Sequence, residues 1–133
     1  MSLKKELYRF NFPAEKGYGY HQAVKVGNII YIAGQTSNDE QGQPVGEGDM
    51  VAQMRQVYRN VERVLTNFGA NLDNIVDEVL FVTDMNAAVA ARKSIKDEIF
   101  GEDPNPKFAS TIVEIKRLAN PKWMIEVKFV AHI

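Results

Sequence analysis

The 133-residue chain contains no cysteine, which excludes disulfide bonds, thiolate nucleophiles and cysteine-ligated metal sites. It contains only two histidines, His21 and His132, and neither lies in a metal-binding spacing such as His-Glu-x-x-His. We therefore predict neither a bound metal nor a cofactor. An excess of one charge is also lacking, because 16 basic and 17 acidic side chains give a formal net charge of -1. This balance argues against nucleic acid as a partner, since proteins that bind the phosphate backbone usually present a basic surface.

A long hydrophobic run is missing as well. Residues 1–8 have no apolar core of a signal peptide, and no later segment approaches the length of a membrane span. We therefore expect a cytoplasmic protein without a membrane partner. Hydrophobic residues make up 45% of the sequence and charged residues 25%, as is typical of a globular protein. The length predicts one domain over residues 1–133.

Alternation of apolar and polar residues predicts the β-strands. Two strands lie within residues 24–33 and are joined at Gly27-Asn28, a dipeptide suited to a tight hairpin. A third strand covers residues 75–82, and the last two cover 108–116 and 123–131. The last strand has an apolar face made of Trp123, Ile125, Val127, Phe129 and Ala131.

Two helices are predicted between these strands. Asp49 is suited to cap the first, which ends at Gly69. Its apolar residues recur at helical spacing: Met50, Met54, Val57, Tyr58, Val61, Val64, Leu65 and Phe68. The second helix covers residues 86–100 and is built on alanine, Val89, Ile95 and Ile99. It is stopped by Gly101, Pro104 and Pro106. Residues 36–49 form a turn or loop, and the order of elements predicts an α+β fold with helices packed on one face of a sheet.

Four segments of the chain resemble, in the same order, the motifs of one known family. Residues 109–118, followed by 125–131, are similar to the C-terminal signature of the Rid family (RidA/YjgF, also known as endoribonuclease L-PSP). That signature reads Pro-Ala-Arg-Ser-x-Val-x-Val in the family's imine deaminases and continues to a glutamate on the last strand. Residues 17–24 and 27–35 resemble the family's Gly-Pro-Tyr-x-Gln-Ala and Gly-x-x-x-x-x-Ser-Gly-Gln segments, and residues 81–86 resemble its Val-Phe-(Val/Leu)-x-Asp-(Met/Leu)-x motif.

The resemblance implies a chorismate-mutase-like Rid fold, in which two helices pack on one face of a mixed β-sheet. It also implies a homotrimer with small-molecule clefts between neighbouring subunits. The predicted layers agree with an assembly, because helices on one side leave apolar residues of the other sheet face uncovered in a monomer. Large uncovered apolar patches mark association surfaces. The number three comes from the resemblance alone.

The resemblance also implies a set of site residues. Glu126 matches the family's glutamate and is expected to be catalytic, positioning a water molecule. Tyr20 and Gly34 fall on ligand-binding positions of the family. Ser110 stands where the imine deaminases have a substrate-binding arginine, and Phe108 where they have the preceding proline. Arginine grips a carboxylate with two charge-assisted hydrogen bonds, whereas serine offers one neutral hydroxyl, so we expect an altered substrate specificity.

Further candidates lie beside these residues. Ser110, Thr111 and Ile112 are predicted to bind the substrate, with backbone groups near Ile112 polarising it; as polar residues of a strand edge, the serine and threonine also have a purely structural explanation. His21 is a secondary candidate because it follows the predicted cleft tyrosine and histidine titrates near neutral pH. Trp123 is another secondary candidate, as a wall of the pocket or as part of the core.

The principal candidates have structural explanations too. Glu126 suits a solvated, outward-facing carboxylate as well as a group in a cleft, because glutamates are mostly exposed. Tyr20 suits a residue that covers the sheet edge. Gly34 either relieves crowding at a bulge or lets a ligand approach the backbone.

Three functions are compatible with this interpretation of the sequence. The first is a hydrolase or deaminase of imines, enamines or related small metabolites, with a specificity altered by Ser110. The second is a trimer that binds a small metabolite without catalysis. The third is the ribonuclease activity in the family's name, which the charge balance makes the weakest of the three.

Overall fold

The computed structural model describes residues 2–103 and 106–133. The elements follow in the order β1 (Glu6–Tyr8), α1 (Pro13–Tyr18), β2 (Ala23–Val26), β3 (Ile29–Thr36), α2 (Met50–Asn67), a 3₁₀ helix (Leu72–Asn74), β4 (Ile75–Val82), α3 (Met85–Phe100), β5 (Ala109–Glu114) and β6 (Ile125–His132). No helix of these described ranges combines the length and the hydropathy needed to cross a membrane.

The strands form a six-stranded mixed sheet in the order β1-β2-β3-β6-β4-β5. Neighbouring strands are antiparallel except β4 and β5, which are parallel and are joined through α3. A parallel pair needs such a crossover because its two strands start at the same edge of the sheet. The predicted α+β fold, with a mixed sheet and two principal helices, is confirmed.

Strand β6 lies between β3 and β4 and supplies the centre of the core. Its alternate residues Ile125, Val127, Phe129 and Ala131 are fully buried, as the apolar face predicts. Full burial of one large apolar side chain contributes about 1.5–3 kcal/mol relative to exposure. The helices cover this face with their own apolar stripes, and the buried side chains of the stripes are Met54, Val57, Val61, Val64 and Leu65 from α2 and Ala88, Ala91 and Ile95 from α3.

The opposite face of the sheet is open in the protomer. Tyr31 of β3 pairs with Val130 of β6 on this face and remains 45% exposed. Val113 of β5 pairs with Phe81 of β4 and remains 40% exposed. The sheet therefore buries one apolar face and leaves apolar side chains on the other, as the predicted layers require.

Both predicted helices form close to their predicted limits. The Asp49 side chain accepts a hydrogen bond from the backbone N–H of Ala52 at 3.0 Å and caps α2. Asp84 caps α3 in the same way through Ala87. Gly101 follows α3 with a φ of 79°, which a glycine adopts readily. Of the other predicted helix stops, Pro104 lies outside the described residues.

Three details differ from the sequence prediction. Val89 of α3 is 38% exposed and does not belong to the core, because it lies on the outer side of the helix. The last two strands are shorter than predicted and begin after Phe108 and after Met124. The short elements β1 and α1 were not predicted, because three strand residues and one and a half helical turns give too little periodicity to recognise.

Candidate functional site

A cavity of about 650 Å³ lies where β3 and β6 meet α1, the loop after β3 and the segment before β6. Aromatic and apolar side chains form one part of its wall: Phe12, Pro13, Tyr18, Tyr20 and Trp123. Amides form another part: Gln22, Gln35, Asn38, Gln41 and Gln43. Glu126 supplies the one carboxyl group among the described residues that line it. The cavity is therefore mostly apolar but also carries amide groups and one carboxyl group that can orient a small molecule.

The carboxylate of Glu126 lies against the backbone of Gly34. The pairing of β3 with β6 shifts between Ile32 and Gln35, and this bulge places Gly34 beside the glutamate. A Cβ atom added at Gly34 would lie 2.6 Å from Oε1 of Glu126 and 2.7 Å from its Cδ. Any residue other than glycine would therefore displace the carboxylate, so the bulge and the missing side chain together create its seat.

Glu126 is half-buried on the sheet face opposite the helices. Burial raises its pKa above the ordinary glutamate value, because the low-polarity surroundings disfavour the charged form. A carboxyl group with a raised pKa can exchange a proton closer to neutral pH than an exposed glutamate can. The geometry thus gives Glu126 a place inside the cavity and a chemical property suited to acid–base chemistry.

A buried acid fixes the floor of the cavity. Glu15 of α1 is 1% exposed and accepts hydrogen bonds from the backbone N–H groups of Phe10 and Asn11, both at 2.9 Å. Gln22 donates to the same carboxylate at 2.7 Å and accepts a hydrogen bond from Gln35 at 2.9 Å. This chain of hydrogen bonds links α1 to β3 and fixes Gln22 and Gln35, which both line the cavity.

Helix α2 supports two opposite walls. The side-chain amide of Asn60 donates to the carbonyl oxygens of Thr36 and Asn38, at 3.0 and 3.1 Å, and so anchors the start of the loop after β3. Gln53, which is fully buried, donates to the carbonyl of Lys122 and accepts from the backbone N–H of Met124, both at 2.8 Å. These contacts hold the segment that carries the cavity tryptophan.

Tyr20 lies at the rim, next to the end of α1. Its backbone N–H donates to the carbonyl of Glu15 at 2.9 Å, which fixes the chain at the point where α1 ends. Burial and the nearby Glu15 carboxylate raise the pKa of the Tyr20 phenol. Its hydroxyl group therefore remains protonated at neutral pH and is available as a hydrogen-bond donor.

Comparison with known proteins identifies the family. The family model described as Endoribonuclease L-PSP matches residues 13–133. The chain belongs to this family. A RutC family protein of Pyrococcus horikoshii is 34% identical over 131 residues, which cover 98% of each chain. The 3-aminoacrylate deaminase RutC of Acinetobacter baylyi is 30% identical over 114 residues, which cover 86% of each chain.

Solved structures give the same result. A member of the YjgF/YER057c/UK114 family from Mycobacterium tuberculosis has a TM-score of 0.83 and 25% identity, covering 98% of this chain and 100% of that chain. The Rid protein YyfA of Yersinia pestis has a TM-score of 0.83 and 28% identity, with the same coverage. The predicted Rid relationship and its fold are confirmed.

Within one protomer of this Rid-family protein, the predicted residues of β5 lie outside the cavity. Strand β4 separates β5 from β6, so Ser110, Thr111 and Ile112 are a full strand away from Glu126. Ser110 pairs with Glu78 and shares its helix-facing side of the sheet. A role for these three residues in ligand binding stays a prediction that depends on a neighbouring subunit.

Ser110 belongs instead to a buried cluster that the sequence analysis did not recognise. Glu78 is fully buried and accepts hydrogen bonds from the hydroxyl groups of Ser110 and Tyr58, each at 2.6 Å, and from the guanidinium of Arg92. Arg92 also donates to the Tyr58 hydroxyl at 2.6 Å, and its Cζ atom lies 4.8 Å from the centre of the Phe100 ring. The alternation along β4 did indicate that Glu78 is buried, because it lies on the same face of the strand as the buried residues 80 and 82.

Of the two secondary candidates, Trp123 lines the cavity and His21 does not. The buried indole Nε1 of Trp123 has no hydrogen-bond partner within residues 2–103 and 106–133. His21 does not line the cavity, although both neighbours in sequence, Tyr20 and Gln22, do. His132 lies exposed at the end of β6, where its carbonyl accepts a hydrogen bond from Asn74.

Proposed function

We propose that this protein hydrolyses the C=N bond of a small imine, or of the enamine in equilibrium with it, in the cavity at Glu126. The observation that carries the proposal is the half-buried carboxylate of raised pKa, seated on Gly34 inside a mostly apolar cavity. The relative from Acinetobacter baylyi is a 3-aminoacrylate deaminase, which acts on an enamine. That relationship supports the same class of reaction here.

The reaction needs one water molecule and one group that transfers a proton. The Glu126 carboxylate accepts a proton from water as the water oxygen forms a bond to the carbon of the C=N group. The electron pair of the C=N double bond moves to nitrogen, which receives the proton from Glu126. Glu126 then takes the proton of the carbinolamine hydroxyl and passes it to the amino group. The C–N bond breaks, ammonia leaves and the oxygen forms the C=O bond of the carbonyl product, so water and the imine are fully accounted for. The protonated Tyr20 hydroxyl at the rim is placed to donate a hydrogen bond during these steps.

The substitution Glu126→Gln tests this mechanism. Glutamine keeps the size of the side chain but cannot accept the proton, so we expect the rate of ammonia release to fall by about 10²–10⁴-fold. Wild type should also lose activity as pH falls through the raised pKa of Glu126, because only the ionised form is a base. The residual rate of the variant should lack that pH dependence.

A matched control is Glu62→Gln, which removes an exposed carboxylate from α2. Imine turnover by this control should equal that of wild type. Full activity of Glu126→Gln would place the chemistry elsewhere. If wild type bound small ligands in the cavity but did not shorten the lifetime of any imine, the chain would be a binding protein without catalysis.

We also propose that the protein forms a homotrimer through the open face of the sheet. Support comes from the exposed apolar residues on that face, among them Tyr31 and Val113, since a monomer rarely leaves such a patch uncovered. A cyclic trimer closes a heterologous interface on itself. The same assembly would bring β5 of one subunit towards another subunit and would give Thr111, which pairs with Val79 on the open face, access to a ligand.

Sedimentation equilibrium tests the assembly with two matched variants. Val113→Glu places a charge on the open face, and Val89→Glu places the same charge on the outer side of α3 at a similar exposure of 38%. We expect wild type and Val89→Glu to sediment as trimers at micromolar concentration and Val113→Glu to dissociate. A monomeric wild-type protein would remove the proposal.

A further inference from the structure

The charges around the cavity limit which ligand it can hold. None of the described residues that line it is a lysine, arginine or histidine, while Glu126 supplies a carboxylate. Lys128, two residues from Glu126 on β6, is engaged elsewhere, because it donates to the carbonyl of Ile32 at 3.2 Å. Arg92 does not line the cavity and is bound to Glu78 and Tyr58. A ligand carboxylate would therefore lose its hydration without gaining a cationic partner and would meet a negative charge.

In the proposed trimer, a neighbouring subunit would bring no cation at the position that matches the family's arginine. Where the resemblance places the carboxylate-binding arginine, this chain has Ser110, and the hydroxyl of Ser110 already donates to Glu78 at 2.6 Å. A serine engaged in this way offers neither a positive charge nor a free bidentate donor.

The residues of the cavity wall favour a positively charged ligand. Tyr18, Tyr20 and Trp123 line the cavity together with Glu126. Aromatic faces attract cations and planar groups, and a carboxylate strengthens the preference for a positive charge. Protonated amines and iminium ions, the latter being the reactive form of an imine, have both properties.

Two buried polar atoms show that the wall also has unused hydrogen-bonding capacity. Oδ1 of Asn38 and Nε1 of Trp123 have no hydrogen-bond partner among the described residues, and both residues line the cavity. Asn38 is only 9% exposed, so water has little access to it. Buried polar groups are rarely left unpaired in a native protein, and a ligand with an N–H group would satisfy the asparagine oxygen.

We infer that the cavity selects a nitrogen compound that lacks a carboxylate: a neutral or protonated imine or amine whose remaining substituent is planar and apolar. This inference rests on the proposed function for the turnover of such a compound, but the binding preference itself does not depend on catalysis. The inferred substrates come from reactions that oxidise primary amines, whereas 2-imino acids come from reactions on amino acids.

The single tryptophan gives a direct measurement of binding, because Trp123 is the only one in the chain and lines the cavity. We expect benzylamine to quench its fluorescence with an affinity at least about tenfold above that of benzoate, since one charge-assisted hydrogen bond accounts for about that factor. Glu126→Gln should reduce or abolish the difference. Equal binding of the two probes, tighter binding of benzoate, or no binding of benzylamine would overturn the inference.

A variant that adds a cation to the cavity is expected to gain affinity for one probe, and a folding defect would not produce such a gain. Gln41 is exposed and lines the cavity, so Gln41→Arg should raise the affinity for benzoate and lower that for benzylamine. The matched control Ser94→Arg adds the same charge at an exposed site on α3 and should leave both affinities unchanged. An equal response of the two variants would mean that the probes do not bind in this cavity, and this result would also overturn the inference.

Measuring the hydrolysis of two imines tests the inferred ligand class and the proposed hydrolase function independently. The imine of phenylacetaldehyde and the imine of phenylpyruvate differ only by a carboxylate, and flavin-dependent oxidases generate them in place from phenethylamine and phenylalanine. We expect the first to be hydrolysed with at least about tenfold higher kcat/KM, equivalent to one such hydrogen bond. Preference for the second would overturn the inference but leave the proposed hydrolase standing. If neither imine were hydrolysed while benzylamine still bound preferentially, the proposed function would fail and the inferred ligand class would stand.

Discussion

Arg92→Ala is expected to lower the free energy of unfolding by about 3–5 kcal/mol, because it leaves the Glu78 carboxylate in the core without its cation. Glu78 is fully buried, so its carboxylate depends on the protein for the charge and hydrogen bonds that water gives an exposed group. The hydroxyl groups of Tyr58 and Ser110 would still donate to it, each at 2.6 Å, but they carry no positive charge. Urea unfolding followed by circular dichroism measures the loss, which would be a large part of the stability of a typical domain.

A second ion pair, between helices α2 and α3, provides the control. Arg55 of α2 binds Glu98 of α3 with its Nε atom 2.5 Å from Oε2, and both groups lie at the surface. Arg55→Ala should cost far less than Arg92→Ala, because solvent screens a surface pair and hydrates the partner that remains. Equal losses of unfolding free energy in the two variants would show that Arg92→Ala does not leave Glu78 as an unpaired buried charge.

The double substitution of Glu78 and Arg92 by leucine separates the charge from the packing. Replacement of both members of a buried ion pair by apolar residues is often neutral or stabilising, whereas removal of one member is costly. We therefore expect the double variant to recover most of the stability that Arg92→Ala loses. This result would show that the cluster is retained at little net benefit to stability.

The elements that could be predicted from the sequence are those whose periodicity is long enough to recognise. Helix α2 has eighteen residues with one buried stripe, and strands β4 and β6 alternate over eight residues each. Helix α1 is different, because it is anchored by a single buried acid, Glu15, whose partners are backbone N–H groups of the preceding segment. No residue pattern indicates that a glutamate in a short helix will be buried.

The candidate site divides in the same way. The resemblance pointed to Tyr20, Gly34 and Glu126, and Trp123 was a secondary candidate for a pocket wall. The structure brings these four residues to one cavity. The resemblance could not show that Ser110 faces Glu78, because that contact depends on the register of the parallel pair β4 and β5. Strands far apart in the sequence can pair in several registers, and a shift by one residue turns each side chain to the other face.

Gly34→Ala is expected to reduce imine turnover by about 10²-fold while the fold is retained, because it moves the carboxylate of Glu126 without removing it. The added Cβ would lie 2.6 Å from Oε1 and 2.8 Å from Cγ of Glu126, which is closer than such atoms approach. These atoms belong to a flexible side chain, so the side chain moves and the backbone of β3 does not have to. A displacement of about 1 Å from the productive geometry can cost 10²-fold in rate.

The control for this variant is Gly17→Ala in α1, where an added Cβ would meet no atom within 4 Å. Neither glycine has a positive φ, so alanine introduces no backbone strain at either position. Both variants should unfold close to the wild-type urea concentration, and only Gly34→Ala should lose activity. Because Gly34→Ala keeps the carboxylate and Glu126→Gln removes it, the pair distinguishes the position of the base from its presence. Full turnover by Gly34→Ala would mean that the seat formed by the bulge is irrelevant to the chemistry, and that Glu126 acts, if at all, from a different rotamer.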